Sequence, residues 1–75
     1  MMKFGEALEI VKSGGKVSRQ GWNGRGQWIA LQGLTRISEM TRPFIYIHTV
    51  SRDLVPWLAS QTDMLAEDWV VVRDE

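Results

Sequence analysis

Cysteine is absent from the 75-residue sequence. Disulfides are thereby excluded, and with them thiol chemistry and most zinc sites. The one histidine, His48, has no cluster of partner ligands, so no metal site is expected. Net charge is missing as well, because nine basic residues balance nine acidic ones. A protein that coats DNA or RNA needs a basic surface to displace counterions, which excludes a polymeric nucleic acid as partner. A small ligand with one or two phosphates needs only a local cluster of donors and stays open. No apolar run is long enough to span a membrane. The opening Met1-Met2-Lys3-Phe4-Gly5-Glu6 lacks the apolar stretch of a signal peptide, so the expected compartment is the cytosol.

The length permits one domain, 1–75, and no second one. A domain of this size buries only about 60% of its unfolded surface, so its core is marginal. Small chains compensate with disulfides, a metal or subunit contacts. The first two are excluded, which leaves oligomerisation. Four tryptophans fit that route, since Trp is a large amphipathic anchor enriched at interfaces.

Phe4, Ala7, Leu8 and Val11 recur at helical spacing, with Ile10 widening the stripe, and predict a helix over roughly 3–13. Gly14-Gly15 ends it, because glycine accepts the left-handed position past a helix. Lys16 to Gln20 and Gln27 to Gln32 read as two strands of a hairpin. The loop between them, Gly21-Trp22-Asn23-Gly24-Arg25-Gly26, is longer and richer than a tight turn requires. Gly33 to Arg42 is polar and irregular. Phe44 to Val50 is β-branched, aromatic and alternating, the strongest strand signal. A turn at Ser51-Arg52-Asp53 precedes Leu54-Val55, and Pro56 rules out a regular central strand there. Ser60-Gln61-Thr62-Asp63 has the spacing of a capping box before a short helix, Gln61 to Ala66. Trp69 to Val72 reads as a last strand, its unbroken apolar run suggesting burial on both faces. The expected fold class is α+β, with an N-terminal helix on a small antiparallel sheet and a short helix before the last strand.

Two stretches carry binding chemistry. In the first, glycines let the backbone approach a ligand, and clustered amides can form an anion-binding nest. Arg19 and Arg25 flank it and can fork onto a phosphate. Trp22 offers a face for a base, and Asn23 offers donors and an acceptor. The same residues also suit a plain hairpin loop with a buried Trp and an Asn-Gly turn. In the second, Trp57, Ser60, Gln61, Thr62 and Asp63 place an aromatic beside four polar groups that can read a purine edge and a ribose. Helix capping by Ser60 and Asp63 with Trp57 in the core is the competing reading. His48 reads as an ordinary sheet residue, and Glu67 and Asp68 as solvated carboxylates. No catalytic residues and no cofactor are expected: the sequence has no thiol, no nucleophile elbow and no P-loop.

The two stretches also occur together as motifs. Phe4-Gly5-Glu6-Ala7-Leu8 and Val17-Ser18-Arg19-Gln20-Gly21-Trp22-Asn23-Gly24 stand near one end. Pro56-Trp57-Leu58-Ala59-Ser60-Gln61-Thr62-Asp63 and Leu65-Ala66-Glu67-Asp68-Trp69 stand near the other. The pairing, across residues 2–72, resembles the second family of Thoeris anti-defence proteins, small phage and prophage proteins. The resemblance implies a molecular sponge that binds cyclised ADP-ribose isomers made by Thoeris sensors, and so keeps the effector inactive. It implies a homotetramer with ligand pockets at subunit interfaces, and extends to cyclic dinucleotides held in separate pockets. It carries a ligand-binding role onto Trp22, Asn23, Gly24, Ser60, Gln61, Thr62 and Asp63. Gly33 to Arg42 departs from the family in lacking a longer Pro- and Tyr-rich insertion.

Together these features lead to the expectation of a soluble, non-enzymatic sponge for a cyclic nucleotide messenger in an infected bacterial host. The alternative is a small module that binds a host protein through its aromatic surface.

Overall fold

Ala7 and Val11, one turn apart, have no exposed surface and seat helix α1 (Phe4–Lys12) on the sheet. The Glu6 carboxylate accepts the Lys3 backbone N–H at 3.4 Å, satisfying one free donor at the helix start. At the other end Gly14 takes φ +102°, a region costly for any residue with a Cβ. Its N–H donates to the Val11 carbonyl, and the Gly15 N–H donates to that of Ile10. This paired arrangement stops the helix and turns the chain into the sheet. These elements come from a computed structural model that describes residues 1–33 and 40–73.

Five antiparallel strands follow: β1 (Lys16–Arg19), β2 (Trp28–Gln32), β3 (Phe44–His48), β4 (Leu54–Pro56) and β5 (Trp69–Val72). A second helix, α2 (Gln61–Leu65), lies between β4 and β5. The sheet order is β4-β3-β2-β1-β5. The chain walks outward from β1 to β4 and then crosses, through α2, to the far side of β1. The fold class is α+β, as the sequence implies.

Strand register sorts the side chains. Val17 pairs with Ile29, Ile29 with Ile47, and Arg19 with Trp69, so these share one face. Helix α1 covers that face and completes a core of Ala7, Val11, Val17, Ile29 and Trp69. The opposite face holds Lys16, Trp28, Gln32, Phe44, Tyr46, His48, Leu54 and Pro56. A groove there is lined by Gln32, Phe44, Tyr46, Leu54, Val55 and Pro56.

Burial of β5 on both faces is not found. It is an edge strand, and Val71 remains 45% exposed. On the side facing α1 the run is buried at Trp69 but open at Val71, and on the other side Val70 and Val72 are only partly buried. Pro56 ends the opposite edge strand, where its missing N–H costs no ladder bond. Of the irregular stretch 33–42, residues 34–39 lie outside the described residues. No helix among the described residues is long and apolar enough to cross a membrane.

Candidate functional site

The β1–β5 register places Arg19 opposite Trp69, and so beside the residues that lead into β5. Its Nε donates to Asp68 Oδ1 and its Nη1 to Asp63 Oδ1, each at 2.9 Å. The three side chains are largely withdrawn from water, at 14%, 12% and 26% exposure for Arg19, Asp63 and Asp68. Asp63 Oδ1 also accepts the Trp22 indole Nε1–H at 3.0 Å. Asp63 Oδ2 accepts the Ser60 N–H, while Ser60 Oγ accepts the Asp63 N–H at 3.0 Å. The capping box expected from Ser60-Gln61-Thr62-Asp63 is therefore present. Asp68 Oδ2 takes the Gly21 N–H at 2.8 Å. The two motifs, more than 40 residues apart, thus close into one clasp that ties the glycine-rich loop to α2.

Electrostatics follow from the geometry. Hydrogen bonds to Asp68 and then Asp63 hold the Arg19 guanidinium charged above its ordinary range. Burial pushes the Asp63 carboxyl up, but hydrogen bonds from Trp22, Arg19 and Ser60 together outweigh it and leave it below the usual range. The Arg19 hydrogen bond, opposed by partial burial and aided by the Gly21 N–H, likewise lowers Asp68. Groups with depressed folded values stabilise the fold above the unfolded carboxylate range, near pH ~4, and lose that contribution as pH falls through the folded values. Thermal melts taken downward from neutral pH are therefore expected to fall most steeply below pH ~4, and Asp63→Asn to flatten that fall.

Each candidate from the sequence now has a place. Arg19 and Asp63 face each other in the clasp. Trp22 is half-buried, edge-on to Trp69 with ring centres 5.3 Å apart. Trp57 is half-buried between Phe4 and Trp69, with centres 6.1 Å from each. Ser60 is committed to the cap. Asn23, Gly24, Arg25, Gln61 and Thr62 are exposed. The Asn23, Arg25, Gln61 and Thr62 side chains make no hydrogen bond or ion pair among the described residues. Fewer polar side chains of the two motifs are therefore left uncommitted than the sequence suggests. Asp68, read as solvated, is instead a member of the clasp, which only strand pairing reveals.

One further contact holds the loop from its far end, backed by a stack of side chains on the sheet. His48 Nδ1 donates to the Gly26 carbonyl at 2.7 Å, and the imidazole lies flat on Trp28 with ring centres 4.9 Å apart. Lys16 Nζ sits 4.4 Å from the centre of the Trp28 ring. No sequence spacing signals this stack, since its members come from three strands.

Both motifs and helix α1 lie within residues 2–72, which match the Thoeris anti-defense 2-like domain. The chain belongs to that family. It is similar to Thoeris anti-defense 2 of Bacillus phage SP01, with 37% identity across an 84-residue alignment spanning 95% of this chain and 94% of the relative. For this member of the Thoeris anti-defence 2 family, the matched segment runs from the residue that bridges Trp69, Met2, to the last residue of β5. The family match therefore covers the clasp and every candidate residue named above.

Proposed function

We propose that this protein counters Thoeris-type antiphage signalling by sequestering a cyclic nucleotide messenger, a cyclised ADP-ribose isomer, with cyclic dinucleotides as further ligands. The observation that carries the reading is the clasp. By tying the glycine-rich loop to α2, it leaves Asn23, Gly24 and Arg25 of the loop and Gln61 and Thr62 of the helix exposed, their side chains without hydrogen bonds or ion pairs among the described residues. Glycine amides and Arg25 suit a diphosphate, and the amide side chains suit ribose hydroxyls and base edges. Nothing turns over: the ligand is held and released intact, in the cytoplasm of an infected bacterium.

The sponge works as a homo-oligomer, a tetramer. The sheet face away from α1 presents Trp28, Phe44, Tyr46 and Leu54, and Leu58 is 91% exposed, so apolar surface is available for subunit contacts. Pockets between subunits would enlarge the shallow surface that one chain offers.

The test incubates the protein with a signalling-nucleotide extract, repurifies it, denatures it by heat and identifies the released compound by mass spectrometry. Recovery of an intact cyclic nucleotide supports the reading. Recovery of nothing overturns it in favour of a protein-interaction module, and a linearised product beyond one turnover per site argues for an enzyme. Asn23→Ala is expected to weaken nucleotide binding by about 2- to 12-fold, the worth of one hydrogen bond, with melting unchanged. Calorimetry beside a thermal melt checks both halves of that expectation.

A further inference from the structure

We infer that His48 is a positioning residue for the glycine-rich loop, setting the geometry of Asn23 and Arg25 from the sheet face opposite α1. The loop 20–27 is held at two ends. Its first end is fixed by the clasp, through the Gly21 N–H on Asp68 and the Trp22 indole on Asp63. Between the ends, Gln27 Nε2 donates to the Asn23 carbonyl, and Asn23 itself is exposed. The second end depends on β3 and the turn that follows it. There the Gly26 carbonyl accepts from His48 Nδ1, and Gly24 lies so close to Val50 that an added Cβ would come within 2.5 Å of Val50 Cγ2. Gly24 and Gly26 both have positive φ, at +91° and +79°, so this stretch has little intrinsic preference for the conformation it takes. External contacts must select it.

The imidazole is well suited to that task. A carbonyl can only accept, so Nδ1 carries the hydrogen. The ring plane is fixed by its stack on Trp28, tilted by only 4°, and Trp28 is itself met by Lys16. A donor on a rigid plane fixes the peptide between Gly26 and Gln27, and with it the end of the loop on which Arg25 and Asn23 are carried. A loop ordered before the ligand arrives loses less entropy on binding. This last consequence rests on the nucleotide-binding reading, whereas the positioning of the loop does not.

Two substitutions in the full chain separate the roles of the ring. His48→Phe keeps a ring to stack on Trp28 and removes the donor. His48→Asn gives up the stack and keeps an amide nitrogen at the place of Nδ1. Hydrogen–deuterium exchange is followed by mass spectrometry in peptides covering 20–27, with α1 peptides as internal reference. In His48→Phe the loop amides are expected to exchange about two- to tenfold faster, the range of one lost hydrogen bond, with α1 unchanged. In His48→Asn the rate is expected to return most of the way to that of the parent. Unchanged loop exchange in His48→Phe overturns the inference, as does equal acceleration in both variants, which would assign the effect to packing. Acceleration that spreads to α1 also overturns it, since His48 would then support the whole fold. A second arm titrates cyclic ADP-ribose and 3′,3′-cyclic di-GMP into the parent and both variants. Affinity lost in His48→Phe and restored in His48→Asn extends the positioning to binding. Failure of the parent to bind either probe counts against the nucleotide reading for those ligands, and the exchange data still decide the loop.

Discussion

Trp69→Ala is expected to leave little folded protein at physiological temperature. Trp69 has no exposed surface and is the largest fully buried side chain. Phe4, Trp22 and Trp57 all pack on its ring, at centre distances of 5.5, 5.3 and 6.1 Å. Truncating a buried Trp to Ala costs about 3–5 kcal/mol through lost burial and the cavity left behind. Domains are stable by about 5–15 kcal/mol in total, and one of this size stands toward the lower end. Trp69 also has a polar duty, since its Nε1–H donates to the Asp63 carbonyl at 3.0 Å. Trp69→Phe keeps most of the ring and removes that donor, so an intermediate loss of about 1–3 kcal/mol is expected. Urea unfolding followed by circular dichroism, at one fixed protein concentration, measures both. A loss below about 1 kcal/mol for Trp69→Ala would contradict the central place given to this residue.

What the sequence disclosed and what it withheld divide along the range of the interactions. Helix α1 was legible because its signals are local: apolar residues three and four apart, then a glycine able to take φ +102°. The cap of α2 was legible for the same reason, Ser60 and Asp63 being three residues apart. Strand β3 announced itself through alternation and β-branching. The clasp was not legible, because its bonds join residues 41 to 49 positions apart. Asp68 looked like a solvated carboxylate until β1 and β5 were seen to pair, with Arg19 beside it. Strand β5 misled for a related reason. A run of four apolar residues carries no information on whether its second face meets a partner. The stack of Lys16, Trp28 and His48 needs three strands in register, and no spacing within any one of them hints at it. The family resemblance supplied the pairing of the motifs but not which of their residues face inward.

Asp63→Ala should be the most damaging single change in the motif, and its damage should appear in stability before binding. The carboxylate takes Arg19 and Trp22 on Oδ1 and the Ser60 N–H on Oδ2. Its removal leaves a mostly buried guanidinium with one of its two carboxylates gone, and leaves an indole N–H and a helix-start N–H without acceptors. Breaking a buried pair by deleting one partner costs about 3–5 kcal/mol. A thermal melt is therefore expected to fall by more than about 10 °C, given roughly 4–8 °C per kcal/mol for a domain of this size. Asp63→Asn keeps the volume and one acceptor oxygen while losing the charge, and is expected to fall about half as far. Binding measured well below each melting temperature then separates two roles. If Asp63 acts by holding the loop against α2, Asp63→Asn retains near-parental affinity where it is fully folded, whereas Asn23→Ala loses affinity with no change in melting. Should Asp63→Asn lose affinity as strongly as Asn23→Ala while melting like the parent, Asp63 contacts the ligand directly and the clasp opens to admit it.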